Sequence, residues 1–403
     1  MAKKQSSRVH VNKESDDLIF AVCERFFQRI TSDNADEESS DEKKKRGRRA
    51  RSVGAAAVAK EISKEFNRPD LTRERIYPLL WEAINRKYLT MNVPPEVKLR
   101  HRLIQEFNLR ERLDQTNGEV FVANTIVGDI AERVNEAAAD EVIKLIDRVQ
   151  KEKKDKAKAE GQDPNKVRVH LGFGAGYAAE EVAKRLSTRA GSKTPKLTLH
   201  ALTSGGHYIA GQQKVPTTYF SFFDGKVQDA EFVGMFAPTV VRSSEYDELK
   251  RNPSFKLVYS RRDEIDILVT SLATSEDKHC LLRQYYSYLY DKGLAADNVI
   301  EFLEKEGWVG DVMFQPYSKE RAINSSPLKA VTLFDFNELR DFSQKPGKYV
   351  VVTCGPCRGC KKRKTKAIRP LLEKPELRMW THLIIDRGTA EDLTADSYDE
   401  LEE

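Results

Sequence analysis

The stretch that most constrains this chain runs Val167-Arg-Val-His-Leu-Gly-Phe-Gly-Ala-Gly-Tyr177 and continues into Ala178-Ala-Glu-Glu-Val-Ala-Lys-Arg-Leu186. A β-branched run ends at three glycines spaced one residue apart, and an amphipathic pattern follows with Ala179, Val182, Ala183 and Leu186 on one face. Strand, glycine turn and helix aim backbone N–H groups and a positive helix end at one point. Glycines let a ligand approach the backbone closely. The stretch therefore reads as an anion cradle or as an ordinary tight βα turn. It is not the dinucleotide fingerprint, because Tyr177 stands where the third glycine of that pattern belongs.

A chain of 403 residues has room for two or three domains, each able to bury a core. Charged residues make up 33% and apolar ones 39%, and no apolar run approaches the length of a membrane span. The N-terminus, Met1-Ala-Lys-Lys-Gln-Ser-Ser7, lacks the apolar stretch of a secretory signal. A cytoplasmic, nucleoid-associated protein with reduced cysteines and no membrane partner is expected.

Ahead of the glycine stretch the pattern is helical. Leu18, Ile19, Val22, Phe26 and Ile30 repeat at helical spacing. Residues 31–52 are an acidic block running into a basic one, Lys43-Lys-Lys-Arg-Gly-Arg-Arg-Ala-Arg51, and read as a disordered insertion. Ala55–Phe66 and Leu71–Tyr88 are two further helix patterns, and Tyr88–Val93 a strand before Pro94-Pro95. This order predicts a helix-turn-helix domain over residues 1–95. Thr72, Arg73, Glu74 and Arg75 would lie in the first turn of its DNA-reading helix. Pro78 sits inside that helix, where it removes a ladder bond and predicts a kink. A purely structural or dimerising helical module is the other reading of this region.

Residues 96–119 read as a connector and 120–403 as an α/β domain with an acidic C-terminal tail. Strands are expected at 120–123, 167–171, 196–202, 265–271, 312–314, 329–334, 349–353 and 382–385. Helices are expected at 126–150, 179–189, 281–291, 295–306, 337–343 and 365–372. The alternation predicts a mostly parallel sheet with helices on both faces, whose ligands bind beyond the carboxyl ends of the strands. That rule selects Gly172, Gly174, Ala175, Gly176, Ser204, Gly205, Gly206, Thr270, Ser271 and Asp311 as ligand-binding candidates, with His207 as a weaker one. Amides, hydroxyls and one carboxylate suit a polyhydroxy ligand. Lys366, near a helix start, would meet a phosphate as a point charge.

Cys354-Gly-Pro-Cys-Arg-Gly-Cys360 contains two overlapping CxxC units before a basic run. Cys354, Cys357 and Cys360 are candidates for zinc or an iron–sulfur cluster, short of a fourth ligand that Cys280, Cys23 or His382 would have to supply. A glycine-proline turn with incidental thiols and a redox pair are the alternatives, and no cofactor is expected.

The order of these features resembles the sorbitol-operon (SorC) branch of the DeoR-like bacterial transcription factors. Leu18–Ile30, then Val58-Ala-Lys-Glu-Ile-Ser through Leu89, resemble the family's DNA-binding helices. Val93-Pro-Pro-Glu and Leu99–Leu109 resemble its connector, and His170–Tyr177 its glycine-rich effector loop. Ile265–Ala273, Gly310–Phe314, Lys366-Ala-Ile and Thr381–Asp386 are similar to its later strand ends and its lysine-bearing helix. The chain departs from the family at residues 31–52, at Pro78 and at the cysteine cluster. The resemblance implies a sequence-specific DNA-binding regulator whose affinity for an operator is modulated by a phosphorylated sugar, acting as a homodimer or homotetramer. Two other functions compete. One is a sugar-phosphate isomerase- or deaminase-like enzyme built on Asp311 with Lys366 or His207. The other is a sugar-sensing interaction protein that has lost DNA binding.

Overall fold

The structure, a computed structural model, describes residues 15–37, 55–86, 88, 95–125, 128–189, 194–205, 215–227, 229–293, 295 and 298–395. Two compact units divide at Val93 and Pro94. The expected strand at 88–93, the basic run at 43–51, Gly206, His207 and the acidic tail lie wholly or almost wholly outside the described residues.

The first unit is made of α1 (Asp16–Glu37), α2 (Ala55–Glu65) and α3 (Arg73–Asn85). Its core is Leu18, Ile19 and Val22 from α1, Val58, Ala59 and Ile62 from α2, and Ile76, Leu79 and Ala83 from α3. These are the positions that helical periodicity places on one face. Residues 31–37, expected in a disordered insertion, continue α1 instead. Nothing breaks the helix there, because Thr31–Glu37 contains neither glycine nor proline. The link from α2 to α3 spans residues 66–72, longer than the three- or four-residue turn usual in helix-turn-helix pairs. Pro78 stands exposed within α3, which runs through it rather than ending there.

The second unit begins with α4 (Pro95–Glu106) and α5 (Arg110–Thr116). These helices and the link between them occupy the stretch read as a connector, and Leu99, Leu103, Phe107 and Leu113 are buried in a core shared with the sheet. The strands are β1 (Glu119–Ala123), β2 (Arg168–Phe173), β3 (Lys196–Ala201), β4 (Glu231–Val233), β5 (Val240–Arg242), β6 (Ile267–Thr274), β7 (Trp308–Val312), β8 (Gln315–Ser318), β9 (Leu328–Ala330), β10 (Tyr349–Cys354) and β11 (His382–Asp386). The main sheet has the order β1-β11-β10-β6-β2-β3-β4, every pair parallel. Further helices are α6 (Ile130–Ala159), α7 (Tyr177–Arg189), α8 (Pro216–Tyr219), α9 (Ser243–Arg251), α10 (Pro253–Ser260), α11 (Leu281–Asp291), α12 (Val299–Lys305), α13 (Phe336–Ser343), α14 (Thr365–Glu373) and α15 (Arg387–Ala395).

Alternation along each strand separates two cores, as a pleated strand requires. Ile267, Val269, Tyr349 and Val351 pack with Val134, Val142, Leu145 and Val182 of α6 and α7. Leu268, Val350 and Val352 pack on the other face with Leu339, Ile368, Leu371 and Leu393 of α13, α14 and α15. The chain steps outward from β2 to β3 and β4, then restarts on the other side of β2 with β6. The reversal between β2 and β6 is a topological switch point, where a crevice opens at the carboxyl ends of the strands.

One expected strand is misplaced. Of residues 312–314 only Val312 is in a strand, as the last residue of β7; Met313 and Phe314, both at positive φ, are the turn of the antiparallel β7–β8 hairpin. A two-residue hairpin turn demands that conformation, and asparagine or glycine usually supplies it. Here Met313 and Phe314 are buried, which holds the strained turn in place.

Buried histidines make the second unit acid-sensitive. His200 in β3 lies 3.1 Å from His170 of β2, ring nitrogen to ring nitrogen. Burial, then the charge of His170, pushes its pKa down to about 3. Burial holds His382 of β11 down at about 4. An unfolded histidine titrates near 6.5, so the unfolded chain binds more protons below that pH. Stability is full above pH 6.5 and lost as pH falls toward 3. At pH 4.5 each residue should cost roughly 2–3 kcal/mol. Urea midpoints at pH 7 and pH 4.5 check this, and a His200→Gln variant should lose part of the difference. Equal midpoints for the wild type would contradict it.

Candidate functional site

A cleft of about 500 Å³ opens at the switch point. Its walls come from the turn after β2, the end of β6, the β7–β8 hairpin and the loop after β10, with Asn135 and Ala131 of α6 on one side. Ala175, Gly176, Ser271 and Asp311 all line it. Parallel pairing puts the turn after β2 and the end of β6 side by side. Asp311 reaches the same place by another route: β7 runs antiparallel to β6, and Asp311 pairs with Ala273.

The glycine turn does less hydrogen bonding to a ligand than its sequence suggests. The Gly174 amide donates to the carbonyl of Val269, 2.9 Å away, and so extends the sheet. The Gly176 amide donates to Tyr219 Oη at 3.2 Å, whose hydroxyl in turn donates to the Gly176 carbonyl at 3.1 Å. What remains is the first turn of α7, where Tyr177, Ala178 and Ala179 have amides with no acceptor within the helix. Gly176 has φ +123°, and a Cβ there would stand 2.7 Å from Ser271 Oγ.

The other expected ligand residues divide clearly. A Cβ on Gly172 would meet Leu202 and Leu268, so this glycine serves sheet packing. Gly174 is pressed against Thr270, whose Oγ1 a Cβ would approach to 2.6 Å, and Thr270 is wholly buried. Ser204 exchanges hydrogen bonds with the backbone of Ala237, and Gly205 packs at φ +97° against Thr239. None of these five lines the cleft.

Lys366 also stands outside it. It projects from α14 into a separate groove, where its Nζ pairs with Glu276 at 3.0 Å. Lys364, the residue preceding α14, lines the cleft, as does Lys184 of α7, and the Lys364 Nζ donates to the carbonyl of Leu272. Arg358 adds a further cation and lies 5.0 Å over the Tyr177 ring. Lys184 is engaged by Glu180 at 2.7 Å and Glu181 at 3.0 Å.

Asp311 is the most perturbed carboxylate here. Burial raises its pKa to about 6, against the lowering effects of the Cys280 thiol, Lys364 and the Phe314 amide. Cys280 Sγ donates to Asp311 Oδ2 at 3.3 Å. Asn135, buried on α6, has an Nδ2 without a hydrogen-bond partner among the described residues. Such a donor in a cleft wall suits an oxygen-rich ligand. Its signal in the sequence is a polar residue between Ala131 and Ala138 on the apolar face of a long helix.

The cysteine stretch splits as well. Cys354 ends β10 fully buried, its thiol pushed up to about 12 by burial. Cys357 and Cys360 lie in the following loop beside Asp277 and His279, with one ligand-type atom of each residue within 4.8 Å of the others. Cys280, Cys23 and His382 are not part of this group. In the first unit, Thr72, Arg73, Glu74 and Arg75 are all exposed at the start of α3, and Arg75 is paired with Asp70.

No helix among the described residues is long and apolar enough to cross a membrane. No protein-family profile matches the sequence, and no curated protein sequence matches it. Solved structures do. The full-length sorbitol operon regulator SorC from Klebsiella pneumoniae superposes with a TM-score of 0.53 at 15% identity, covering 95% of this chain and 100% of that one. A transcriptional regulator from Streptococcus pneumoniae gives 0.52 at 15% identity, over 75% of this chain and 98% of that one. The chain shares the fold of these bacterial transcriptional regulators.

Proposed function

We propose that this protein is a DNA-binding transcriptional regulator whose second unit senses a phosphorylated sugar. The observation that carries the reading is the cleft at the switch point. It brings Arg358, Lys364 and the first turn of α7 together with Asp311, Ser271 and Asn135. Cations and a helix N-terminus suit a phosphate. A carboxylate, a hydroxyl and an amide suit the hydroxyls of a sugar. The sorbitol operon regulator with the same fold supports the same reading. Arg73, exposed at the start of α3, would touch DNA, with Thr72, Glu74 and Arg75 beside it. Occupancy of the cleft would bias a homodimer or homotetramer between DNA-competent and incompetent states.

A thermal-shift screen of the full chain against phosphorylated sugars, with their unphosphorylated forms as controls, tests the cleft. A ligand at about 100 times its Kd should add roughly 2.7 kcal/mol of stability. A screen in which no phosphorylated sugar shifts the melt refutes the reading. The DNA half is tested by selection from random duplexes. Arg73→Ala should cost about 1–3 kcal/mol if it reads a base, or reduce the salt slope if it meets a phosphate. No enrichment and no retardation at low salt would remove DNA from the account.

Asp311 supports one other reading. A carboxyl titrating near 6 in a cleft is poised for general acid–base work. Turnover of the ligand found by the screen would make the protein an enzyme of the isomerase or deaminase type.

A further inference from the structure

We propose that Asp277, His279, Cys357 and Cys360 form a zinc site. The two halves come from neighbouring strands. β6 and β10 pair in parallel, so the loop after β6, with Asp277 and His279, emerges beside the loop after β10, with Cys357 and Cys360.

The spacings fit a tetrahedral ion. Bonds of about 2.3 Å to sulfur and 2.0–2.2 Å to nitrogen and oxygen put tetrahedral ligand atoms roughly 3.3–3.8 Å apart. Cys357 Sγ lies 3.5 Å from His279 Nδ1, and Cys360 Sγ lies 3.2 Å from an Asp277 carboxylate oxygen. His279 Nδ1 is 3.4 Å from that same oxygen. The whole set falls within 4.8 Å.

Backbone hydrogen bonds fix the loop that carries the two cysteines. The Cys357 amide donates to the Lys362 carbonyl at 2.9 Å, and the Lys361 amide returns to the Cys357 carbonyl at 2.8 Å. Lys361, at φ +58°, turns the chain back on itself. Gly359 leaves room for the imidazole, since a Cβ there would stand 2.8 Å from His279 Cε1. Asp277 is fixed by the His279 amide at 2.8 Å, the kind of support that orients a ligating carboxylate.

The donor set selects the metal. Two thiolates, one imidazole and one carboxylate in a tetrahedron match zinc. An iron–sulfur cluster calls for four cysteines or a Cys2His2 set, and the group among the described residues holds two thiols and one imidazole. Four protein ligands close the coordination sphere, so the role is structural. The ion would clamp the loop after β10 to the loop after β6. Arg358 sits between the two cysteines and reaches the Tyr177 ring, so the clamp would also fix a cation of the cleft. Asp277, His279 and Cys357 also line the cleft, so the ion would sit in its wall. Both thiols give up their protons on ligation, so affinity should rise with pH.

The test uses the full chain, stripped of metal under reducing conditions and titrated with zinc against a chromophoric chelator. A cobalt-substituted sample supplies a spectrum. We expect one zinc per chain and, with cobalt, the visible bands of a tetrahedral ion with thiolate charge transfer. Cys357→Ser and Cys360→Ser should each lower affinity by more than about 100-fold, beyond the 10–100-fold typical of residues that only support a ligand. His279→Gln should do the same, and Asp277→Asn should weaken binding by at least about 10-fold. Cys354→Ala, outside the cluster, should keep the full stoichiometry. The wild-type titration decides the matter even if a variant fails to fold. Substoichiometric zinc in the reduced wild type overturns the proposal. So does tight binding that survives the loss of both Cys357 and Cys360.

Discussion

Gly176→Val should weaken binding of a phosphorylated sugar by more than about 100-fold, the equivalent of roughly 2.7 kcal/mol. Two effects combine. At φ +123° the backbone of Gly176 occupies a region that β-branched residues avoid, a strain of about 1–3 kcal/mol. The added side chain would also press on Ser271 Oγ, 2.7 Å from its Cβ, and fill the cleft just ahead of the first turn of α7. Gly174→Val differs in kind, because that position abuts Thr270 and Met313 rather than open cleft, so its cost should fall on folding. Calorimetric titration and melting of both variants separate the two. Undiminished binding by a folded Gly176→Val protein would show that the ligand does not approach α7.

Asp266→Ala should destabilise the second unit by about 3–5 kcal/mol, the loss expected when one partner of a buried charge pair is removed. Asp266 is buried, and its carboxylate meets Lys153 of α6 at 2.5 Å and Lys348 at 3.6 Å, and accepts the His170 amide at 2.9 Å. Alanine would leave the His170 amide without its acceptor and Lys153 and Lys348 without their counter-ion, with only backbone carbonyls left to them, at the point where α6, β2, β6 and β10 converge. At about 2–4 °C per kcal/mol for a unit of this size, the melting point should fall by roughly 6–20 °C. Asp263→Ala is the control. It removes an exposed carboxylate three residues away and should change stability by no more than about 0.5 kcal/mol. A drop of less than about 1 kcal/mol for Asp266→Ala would show that solvent reaches this cluster.

The β2–turn–α7 unit was legible in the sequence because glycines and a 3.6-residue apolar period mark it independently. β6, β10 and β11 were legible for a related reason: strands buried on both faces are continuous runs of Val, Ile and Leu. The β7–β8 hairpin was not. Its turn is Met313-Phe314, residues that avoid positive φ unless burial compensates, so no local rule points there. β4, β5 and β8 are too short to show a period.

The site was half legible for a similar reason. Ala175, Gly176, Ser271 and Asp311 follow from the rule about strand ends. Lys364 and Lys366 cannot be told apart within Lys361-Lys-Arg-Lys-Thr-Lys366, because two residues of helical rotation decide which one enters the cleft. Asp277 and His279 lie in a loop without periodicity, 78 residues from Cys357 in the case of His279. Only the pairing of β6 with β10 brings them together.

The central claim is that the cleft at the β2–β6 switch point binds a phosphorylated sugar, and the pair of lysines tests it most directly. Calorimetric titration of wild type, Lys364→Ala and Lys366→Ala with the best ligand from the screen compares a cleft lysine with one that faces another groove. A charge-assisted hydrogen bond typically contributes about 1.5–3 kcal/mol, so Lys364→Ala should weaken binding roughly 10- to 150-fold. Lys366→Ala should bind as the wild type does, since it loses only an exposed pair with Glu276. The reverse pattern, with Lys366→Ala impaired and Lys364→Ala intact, would place the ligand in the groove beside α14 and contradict the account.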